Sequence, residues 1–453
     1  MTASDTRPAH GLMLNGLRAR EILALALPII AAMISQNVLN LVDTAMVGRL
    51  GSSALAGVGL ASFLNFMTVA FITGMSSAVQ AMAARRYGEQ KFSETAVPLN
   101  GGLLLSLLIG IPLSVLLIWQ APNLFATLND DPEVVAEGSI YLQLRLLSVF
   151  AVGMNFSFRG YWSAIKLARL YMYTLLGMHA LNIFLNYGLI YGNFGLPELG
   201  VAGAGLGTTL SVFIGTLTYF VLGMRYARPN GFLGALPDSD QLRGLLRLGL
   251  PTSIQNLLFA GGFVMLFWIV GKVGTAELAV ANVLINVSLV AILPGIGFGL
   301  AAATLAGQAL GRTDPVDAHA WAWDVCKVAA IPFTLISLPL LLVPQTVMSA
   351  FVTDPALMAL GDMPLRLIGA GILIDGAGLI LMHALLGVGA TRLVMGVSVI
   401  LQWVIFLPVA WLLGPGLGLG LTAIWLAMTV YRGLQTLILA AFWQKRGWVD
   451  IQV

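Results

Sequence analysis

Long apolar stretches without charged residues alternate along the chain with short polar segments, most of them basic. A helix that crosses a membrane needs about 20 apolar residues. Eight stretches fit one such helix each: Ile22–Val42, Leu50–Ala84, Thr95–Asn129, Leu170–Pro197, Leu199–Met224, Leu248–Gly271, Leu278–Gly311 and Val328–Thr353. Arg145 interrupts a further span near 138–160, and Asp375 interrupts another near 357–385.

The last apolar run, Leu393–Tyr431, is too long for one helix, and Gly414-Pro415-Gly416 divides it into two. The pattern therefore predicts an all-α integral membrane protein with twelve transmembrane helices. A membrane β-barrel would instead show alternating segments of about ten residues, and these runs do not alternate.

The composition supports a membrane protein, with 58% hydrophobic and 9% charged residues and a mean hydropathy of +0.90. Soluble domains carry about 25% charged residues, so this chain could not cover a water-facing surface. A secreted disulfide scaffold, a nucleic-acid-binding protein and a cytosolic enzyme are therefore excluded. Cys326 is the single cysteine and cannot form an intrachain disulfide. We expect no cofactor, and no metal other than a transported ion.

The distribution of basic residues predicts the orientation of the helices. Residues 1–20 are polar and lack a cleavage pattern, so they are predicted to form a cytoplasmic tail before a retained first helix. With both termini inside, all but four of the 23 Lys and Arg residues lie on the inner side, Arg432 among them. The exceptions are Arg49, Arg145, Lys272 and Arg366. The positive-inside rule therefore places both termini in the cytoplasm.

An internal repeat divides the chain into two halves. A shift of 223 residues (251 − 28) aligns mainly glycines, prolines and small residues. The clearest matches are Leu27-Pro28 with Leu250-Pro251, Val47–Gly51 with Val270–Gly274, Gly74 with Gly297, and Gly88 with Gly311. Each half holds six helices and enters the membrane from the same side, a common transporter plan that works by alternating access. We expect bundles at 21–226 and 243–446, a cytoplasmic linker at 227–242 and a tail at 447–453.

Two acidic residues, Asp43 and Asp375, lie inside the predicted spans. A carboxylate in a membrane is costly and indicates a functional site. For Asp43 the alternative is a structural cap at the membrane interface. For Asp375 the alternative is that the glycines around it permit a bend. Neither carboxylate is duplicated in the other half, because the repeat aligns Asp43 with Leu266 and Asp375 with residues near Val152.

Polar residues in the predicted fifth and sixth helices could complete a site with Asp43. Asn182 and Asn186 are four apart and share one helix face, and Thr208 follows in the sixth helix. Together their oxygens could hold Na⁺ or form a hydrogen-bond network for a proton. The alternative is that these residues serve helix packing, as polar residues in membranes often do.

Further polar residues are candidates to line a substrate cavity: Asn37, Asn40, Asn155 and His179. His179, like His383, also fits a histidine packed in the core. Pro28 and Pro251 occupy equivalent places in the first and seventh helices. A proline inside a helix removes a backbone hydrogen bond and kinks it, so a bend at Pro28 could couple protonation of Asp43 to the shape of the cavity.

The sequence resembles the multidrug and toxic compound extrusion (MATE) family along essentially its whole length. The resemblance lies in the segments Val42–Gly51, Phe158–Trp162, Asn182–Asn186 and Gly249–Gly274. In overall pattern the chain is most similar to the bacterial DNA-damage-inducible protein F branch. The resemblance implies a monomeric bacterial inner-membrane antiporter. It would export organic cations or amphiphiles in exchange for H⁺ or Na⁺, without ATP.

The resemblance also implies roles for individual residues. Asp43 matches the family's ion-binding carboxylate of the first helix, Asn182 and Thr208 match polar members of that cluster, and Pro28 matches the bending proline. Some members have Asp where this chain has Asn186, and Asp375 is similar to a tenth-helix aspartate of the NorM-type branch. The chain therefore mixes features of two branches, and H⁺ is the coupling ion that we favour.

Three other classes of protein fit the sequence less well. A lipid-linked saccharide flippase of the same superfamily should line its cavity with basic residues that attract anionic lipids, whereas the residues predicted inside these spans are acidic. A major facilitator transporter should carry an acidic–basic signature after its second helix, which Arg85–Gln90 matches poorly. An intramembrane enzyme lacks support because no metalloprotease, nucleophile-elbow or phosphate-loop motif is present.

Overall fold

The computed structural model describes residues 16–235 and 237–451, and these ranges form long helices joined by short connections. The long helices are α1 Gly16–Gly48, α2 Ser52–Gly88, α3 Val97–Leu128, α4 Pro132–Leu146 with Val149–Ala164, α5 Ala168–Tyr191, α6 Gly200–Leu222, α7 Ser239–Val273, α8 Thr275–Gly311, α9 Pro315–Leu342, α10 Pro355–Gly387, α11 Thr391–Gly416 and α12 Gly420–Lys445. Short helical turns at Phe92–Glu94, Asn193–Gly195, Arg228–Asn230 and Pro344–Ser349 lie in the connections.

The helix count agrees with the twelve predicted from the sequence. Ten helices in the described ranges are long and apolar enough to cross a membrane, and the two halves of α4, bent by 48°, give an eleventh span. The remaining long helix, α5, has 24 residues; its histidine and two asparagines lower its hydropathy. Gly414-Pro415-Gly416 ends α11, and α12 begins at Gly420, as expected.

Helices α1–α6 form one lobe (lobe 1) and α7–α12 form the other (lobe 2). One hydrophobic cluster lies mainly in lobe 2 but includes Ile22, Leu25 and Ile29 of α1, and two further clusters lie mainly in lobe 1. We call the end of the molecule where α1 begins and α12 ends the basic end, because Arg85, Arg86, Arg312 and Lys445 lie there. The opposite end, where α4 and α10 begin, is the acidic end.

The lobes meet along α2 and α8 with pseudo-twofold symmetry. A Cβ added at Gly74 would contact Ser253 of α7, and a Cβ added at Gly297 would contact Ile30 of α1. These contacts are related by the repeat, since 297 − 74 and 253 − 30 are both 223. The aligned pair Gly74 and Gly297 is therefore explained by the close approach of the lobes.

Hydrogen bonds close the lobes together towards the basic end. Gln80 Nε2 of α2 donates to the carbonyl oxygen of Leu300 (2.8 Å) and to Thr304 Oγ1 (2.9 Å), both in α8. Gln308 Nε2 donates to the carbonyl oxygen of Ala164 (2.7 Å). Within the described ranges, the inter-lobe hydrogen bond nearest the acidic end is the one from Asn256 Nδ2 to Thr73 Oγ1, 3.0 Å. Thr73 is the residue at which α2 is interrupted.

Two predictions about charged residues are wrong. Arg432 was assigned to the inner side, but α12 continues from Gly420 to Lys445 and places Arg432 near the middle of that helix. Asp324 lies inside α9, which begins at Pro315, earlier than expected. Burial of Asp324 is tolerated because Arg18 Nη1 of α1 lies 2.5 Å from its carboxylate and Lys327 lies 3.1 Å away.

Candidate ion and substrate site

The predicted cluster around Asp43 forms where α1 and α5 run side by side in lobe 1. Asn186 Nδ2 donates to Asp43 Oδ1 at 2.9 Å and to Asn182 Oδ1 at 3.0 Å. Asn182 and Asn186 are 2% and 1% exposed, whereas Asp43 is half-buried. Asp43 forms no ion pair within the described ranges, so its negative charge is balanced only by a neutral amide donor at contact distance.

One hydrogen-bond acceptor of this cluster, Asn186 Oδ1, faces the neighbouring helix α6 and receives no donor from it. Gly207 of α6 faces Asn186, and a Cβ there would meet Asn186 Oδ1. That oxygen is buried and has no hydrogen-bond partner within the described ranges. A buried acceptor without a donor costs about 1–3 kcal/mol, so the cluster is suited to an additional proton donor or cation. Thr208 does not join the network, because its hydroxyl donates to the Ala204 carbonyl within its own helix (2.9 Å).

A second polar layer lies two helical turns from the first, towards the basic end. His179 Nδ1 lies 2.9 Å from Ser35 Oγ, and His179 Nε2 lies 3.0 Å from Gln36 Oε1. Gln36 Nε2 in turn donates to Asn40 Oδ1 at 3.2 Å. The helices α1 and α5 run parallel here, so residue numbers rise together along both. The pairs His179–Gln36 and Asn186–Asp43 are therefore both 143 positions apart. His179 is therefore a buried, hydrogen-bonded residue at the α1–α5 contact.

The other predicted cavity residues differ in their surroundings. Asn40 and its neighbour Gln36, which was not predicted, are exposed on α1, and an exposed polar stripe on a spanning helix is suited to a water-filled cavity rather than to lipid. Asn37 is half-buried. Asn155 of α4 is also half-buried, and its Oδ1 is a buried acceptor without a partner in the described ranges.

Asp375 is not brought near Asp43; it lies in lobe 2 and is paired with a cation. Arg432 Nη2 of α12 lies 2.5 Å from Asp375 Oδ1. Arg432 Nη1 donates to Gln435 Oε1 at 3.2 Å, and Gln435 Nε2 donates to Ser398 Oγ of α11 at 3.0 Å. The carboxylate in lobe 2 is therefore neutralised within the fold, unlike the one in lobe 1.

Several polar residues inside the spans, some of them outside the two sites, were not predicted from the sequence. Asn282 and Asn286 of α8 are exposed, and Asn286 Nδ2 donates to Asn282 Oδ1 at 2.7 Å. The i,i+4 spacing that identified Asn182 and Asn186 could have identified this pair. Gln36 follows the same spacing with Asn40. Arg432 had a weaker signal, namely that apolar residues flank it on both sides.

Pro28 and Pro251 are both buried within continuous helices, α1 and α7. Pro28 lies between Ala26 and Ile30, and both flanking residues contact α8 at Gly297. The missing N–H of Pro28 leaves the Ala24 carbonyl without its helical partner. α1 is thus weakened at its contact with the other lobe, between the basic end and Asp43.

Replacing Pro28 by alanine is expected to slow transport roughly tenfold without unfolding the protein, because it restores one helical hydrogen bond and stiffens α1. The measurement is the initial rate of cation transport in liposomes, with thermal melting as the check on folding. Pro112→Ala is the matched control, because Pro112 is inside α3 but exposed. Equal rates in Pro28→Ala and Pro112→Ala would contradict a role for bending of α1.

Comparison with known proteins agrees with this architecture. The sequence model of the MatE family matches twice, at residues 28–188 and 251–412. The two matches begin 223 residues apart (251 − 28), which confirms the internal repeat.

Curated relatives match over nearly the full length. A probable multidrug resistance protein NorM of Bradyrhizobium diazoefficiens is 31% identical over 96% of this chain and 98% of its own length. A protein with the same name from Thermotoga maritima is 28% identical over 94% of both chains. None of these matches singles out the DNA-damage-inducible protein F branch, which stays a prediction.

Solved structures share the fold. An outward-facing multidrug resistance transporter of the MATE family and MOP superfamily aligns with a TM-score of 0.86 and 21% identity, over 96% of this chain and 97% of that one. A MOP superfamily transporter from Pyrococcus furiosus, described as having a binding pocket of reverse polarity, aligns with a TM-score of 0.85 and 20% identity, over 96% and 97% of the two chains. With the family matched over both halves of the sequence and the fold over its length, this chain belongs to the MatE family of multidrug and toxic compound extrusion transporters.

Proposed function

We propose that the protein is a secondary active multidrug efflux antiporter that exports cationic or amphiphilic organic compounds in exchange for H⁺. The observation that carries this proposal is the state of Asp43, a half-buried carboxylate with an amide donor at 2.9 Å and no ion pair within the described ranges. One carboxylate that is free to bind either a proton or a cation makes the two ligands compete. Competition for one site is the simplest physical basis of antiport.

The charges inside the lobes favour cationic rather than anionic substrates. Arg432 is a basic residue in the membrane interior, but Asp375 neutralises it. Arg159 of α4 is turned to Ser76 Oγ (3.2 Å) and stacks on Phe156, at 4.5 Å. Within the described ranges Arg159, like Asp43, has no ion pair, but it lies five residues before the basic end of α4, whereas Asp43 lies five residues before the acidic end of α1. A flippase for anionic lipid-linked saccharides would need the opposite polarity.

Na⁺ is a second candidate for the coupling ion, and one specific observation supports it. The free Oδ1 of Asn186, Oδ1 of Asn182 and the Asp43 carboxylate are oxygen ligands of the kind that hard cations prefer. H⁺ remains our first choice because the cluster holds a single carboxylate and Thr208 is not turned towards it. An H⁺ needs only that carboxylate.

The closed basic end is consistent with one state of an alternating-access cycle. The inter-lobe hydrogen bonds of Gln80 and Gln308 lie in the half nearer the basic end. If both termini are cytoplasmic in a bacterial inner membrane, this is the outward-facing state. Export would then require the lobes to separate at the basic end and to meet at the acidic end.

The test is transport by the purified protein in liposomes under one imposed gradient at a time. We expect a pH gradient to drive movement of a fluorescent lipophilic cation, and protein-free liposomes to show none. Movement that follows a sodium gradient alone would reassign the coupling ion to Na⁺ at Asp43, Asn182 and Asn186. If neither gradient moves the cation, the antiport proposal is wrong and the flippase alternative takes its place.

A further inference from the structure

Arg432 makes lobe 2 electrically different from lobe 1. Its guanidinium lies 2.5 Å from Asp375, and the two side chains are 15% and 30% exposed. A charged residue midway along a spanning helix is costly unless it is paired. Arg432 and Asp375 therefore satisfy each other, and the pair as a whole carries no net charge.

The guanidinium is held in place from a second side. Arg432 Nη1 donates to Gln435, which bonds Ser398, and Gln255 Nε2 of α7 lies 3.4 Å from the same Ser398 hydroxyl. A planar guanidinium with fixed donors binds a carboxylate with defined geometry. The network thus fixes Arg432 against Asp375 from α12, α11 and α7.

The internal repeat has no equivalent of this pair in lobe 1. The position equivalent to Asp375 in lobe 1 is Val152 (375 − 223). Helices α6 and α12 begin at Gly200 and Gly420, both with positive φ, so the position equivalent to Arg432 is Val212 (432 − 220). Neither Val152 nor Val212 carries a charge. Lobe 1 therefore has an unpaired carboxylate at Asp43, and lobe 2 has a carboxylate with a resident cation.

We propose that Arg432 determines cation specificity by occupying, with its own guanidinium, a cation site at Asp375. Lobe 2 then offers a ligand no net charge, and the transported cation is attracted to Asp43 alone. The consequence for transport rests on the proposed function. The occupation of the Asp375 site by Arg432 does not rest on the proposed function, because ligand binding to the purified protein measures it without transport.

The test replaces Arg432 by alanine, which leaves Asp375 unpaired and frees the space of the guanidinium. Millimolar guanidinium chloride is expected to raise the melting temperature of Arg432→Ala in a saturable way, since a ligand that binds the folded state stabilises it. It should not stabilise wild type, Arg432→Lys or the neutral double variant Arg432→Ala/Asp375→Asn. Because stabilisation is the readout, the test also works if Arg432→Ala is itself unstable.

A second measurement uses tetraphenylphosphonium binding in an Asp43→Asn background, where the lobe 1 carboxylate is absent. We expect Asp43→Asn/Arg432→Gln to bind this cation roughly tenfold more tightly than Asp43→Asn. Adding Asp375→Asn should remove the gain. Identical responses of Arg432→Ala and Arg432→Ala/Asp375→Asn to guanidinium would overturn the inference. A guanidinium effect in a protein that transports no cation would leave the inference standing and reject the proposed function.

Discussion

Asparagine at position 43 is expected to abolish ion-driven export of a lipophilic cation while leaving the lobes assembled. The substitution preserves the size of the side chain and an oxygen that can accept from Asn186, whose Nδ2 lies 2.9 Å from Asp43 Oδ1. It removes the negative charge that either a proton or a cation would neutralise. By analogy with other positioned proton carriers, we expect the initial rate to fall on the order of 100-fold or more.

Two variants separate the charge of Asp43 from its surroundings. Asp130→Asn removes an exposed carboxylate at the acidic end and should transport at the wild-type rate. Asn186→Ala retains the charge of Asp43 but removes its donor, a bond to a charged group worth about 1.5–3 kcal/mol, and should give an intermediate rate. Undiminished transport by Asp43→Asn under a pH gradient, in protein that melts like wild type, would refute the assignment of Asp43.

The lobe 1 cluster was predictable because its signal is local. A carboxylate in an otherwise uncharged helix is conspicuous, and the four-residue spacing of Asn182 and Asn186 places both on one helix face. Thr208 was harder to place, because a hydroxyl in a helix can bond its own backbone as well as a neighbour, and here it bonds Ala204.

The partner of Asp375 could not be predicted in the same way. Arg432 lies on a different helix, and the pairing depends on how α10 and α12 are rotated against each other. The positive-inside rule describes loops, and it assigned Arg432 to the inner side because α12 was predicted too short. The repeat could not correct this error, since neither member of the pair has a charged counterpart in lobe 1.

The fold was recoverable because membrane helices are set by length and hydropathy, and the repeat by its glycines and prolines. The sequence could not predict that the basic end is the closed one. Both states of an alternating-access cycle use the same helices, so the hydropathy pattern of the sequence cannot distinguish one state from the other. The closed end is identified by inter-lobe contacts, namely the close packing at Gly88 and Gly311 and the hydrogen bonds of Gln80 and Gln308.

The substitution Gly311→Leu is expected to keep the basic end open and to stop export. A Cβ at Gly311 would meet the Arg85 carbonyl oxygen and lie 3.0 Å from Gly88 Cα, and one at Gly88 would meet the backbone of Gln308. Overpacking of this kind costs about 1–3 kcal/mol, and the lobes can relieve it by separating. That cost shifts a two-state equilibrium about 5–150-fold, away from the closed basic end.

The shift can be read by cysteine labelling of the protein in nanodiscs. Ala84 of α2 is 0% exposed and lies against α8 near Gly307. In a Cys326→Ser background, Ala84→Cys should resist maleimide alone and react once Gly311→Leu is added. Gly177→Leu, at a glycine with nothing within 4 Å of an added Cβ, is the matched control and should change neither labelling nor transport.

The pseudo-twofold contact allows a second, independent test of this prediction from the other lobe. Gly88 and Gly311 are repeat partners that face each other's helices, so Gly88→Leu should expose Ala84→Cys and stop export as Gly311→Leu does. The steric cost falls on one interface from either side, and in both variants the lobes must separate to relieve it. Loss of export with Ala84→Cys still protected would place the damage inside one lobe rather than between the lobes. Export would then fail without any change in the closure of the basic end.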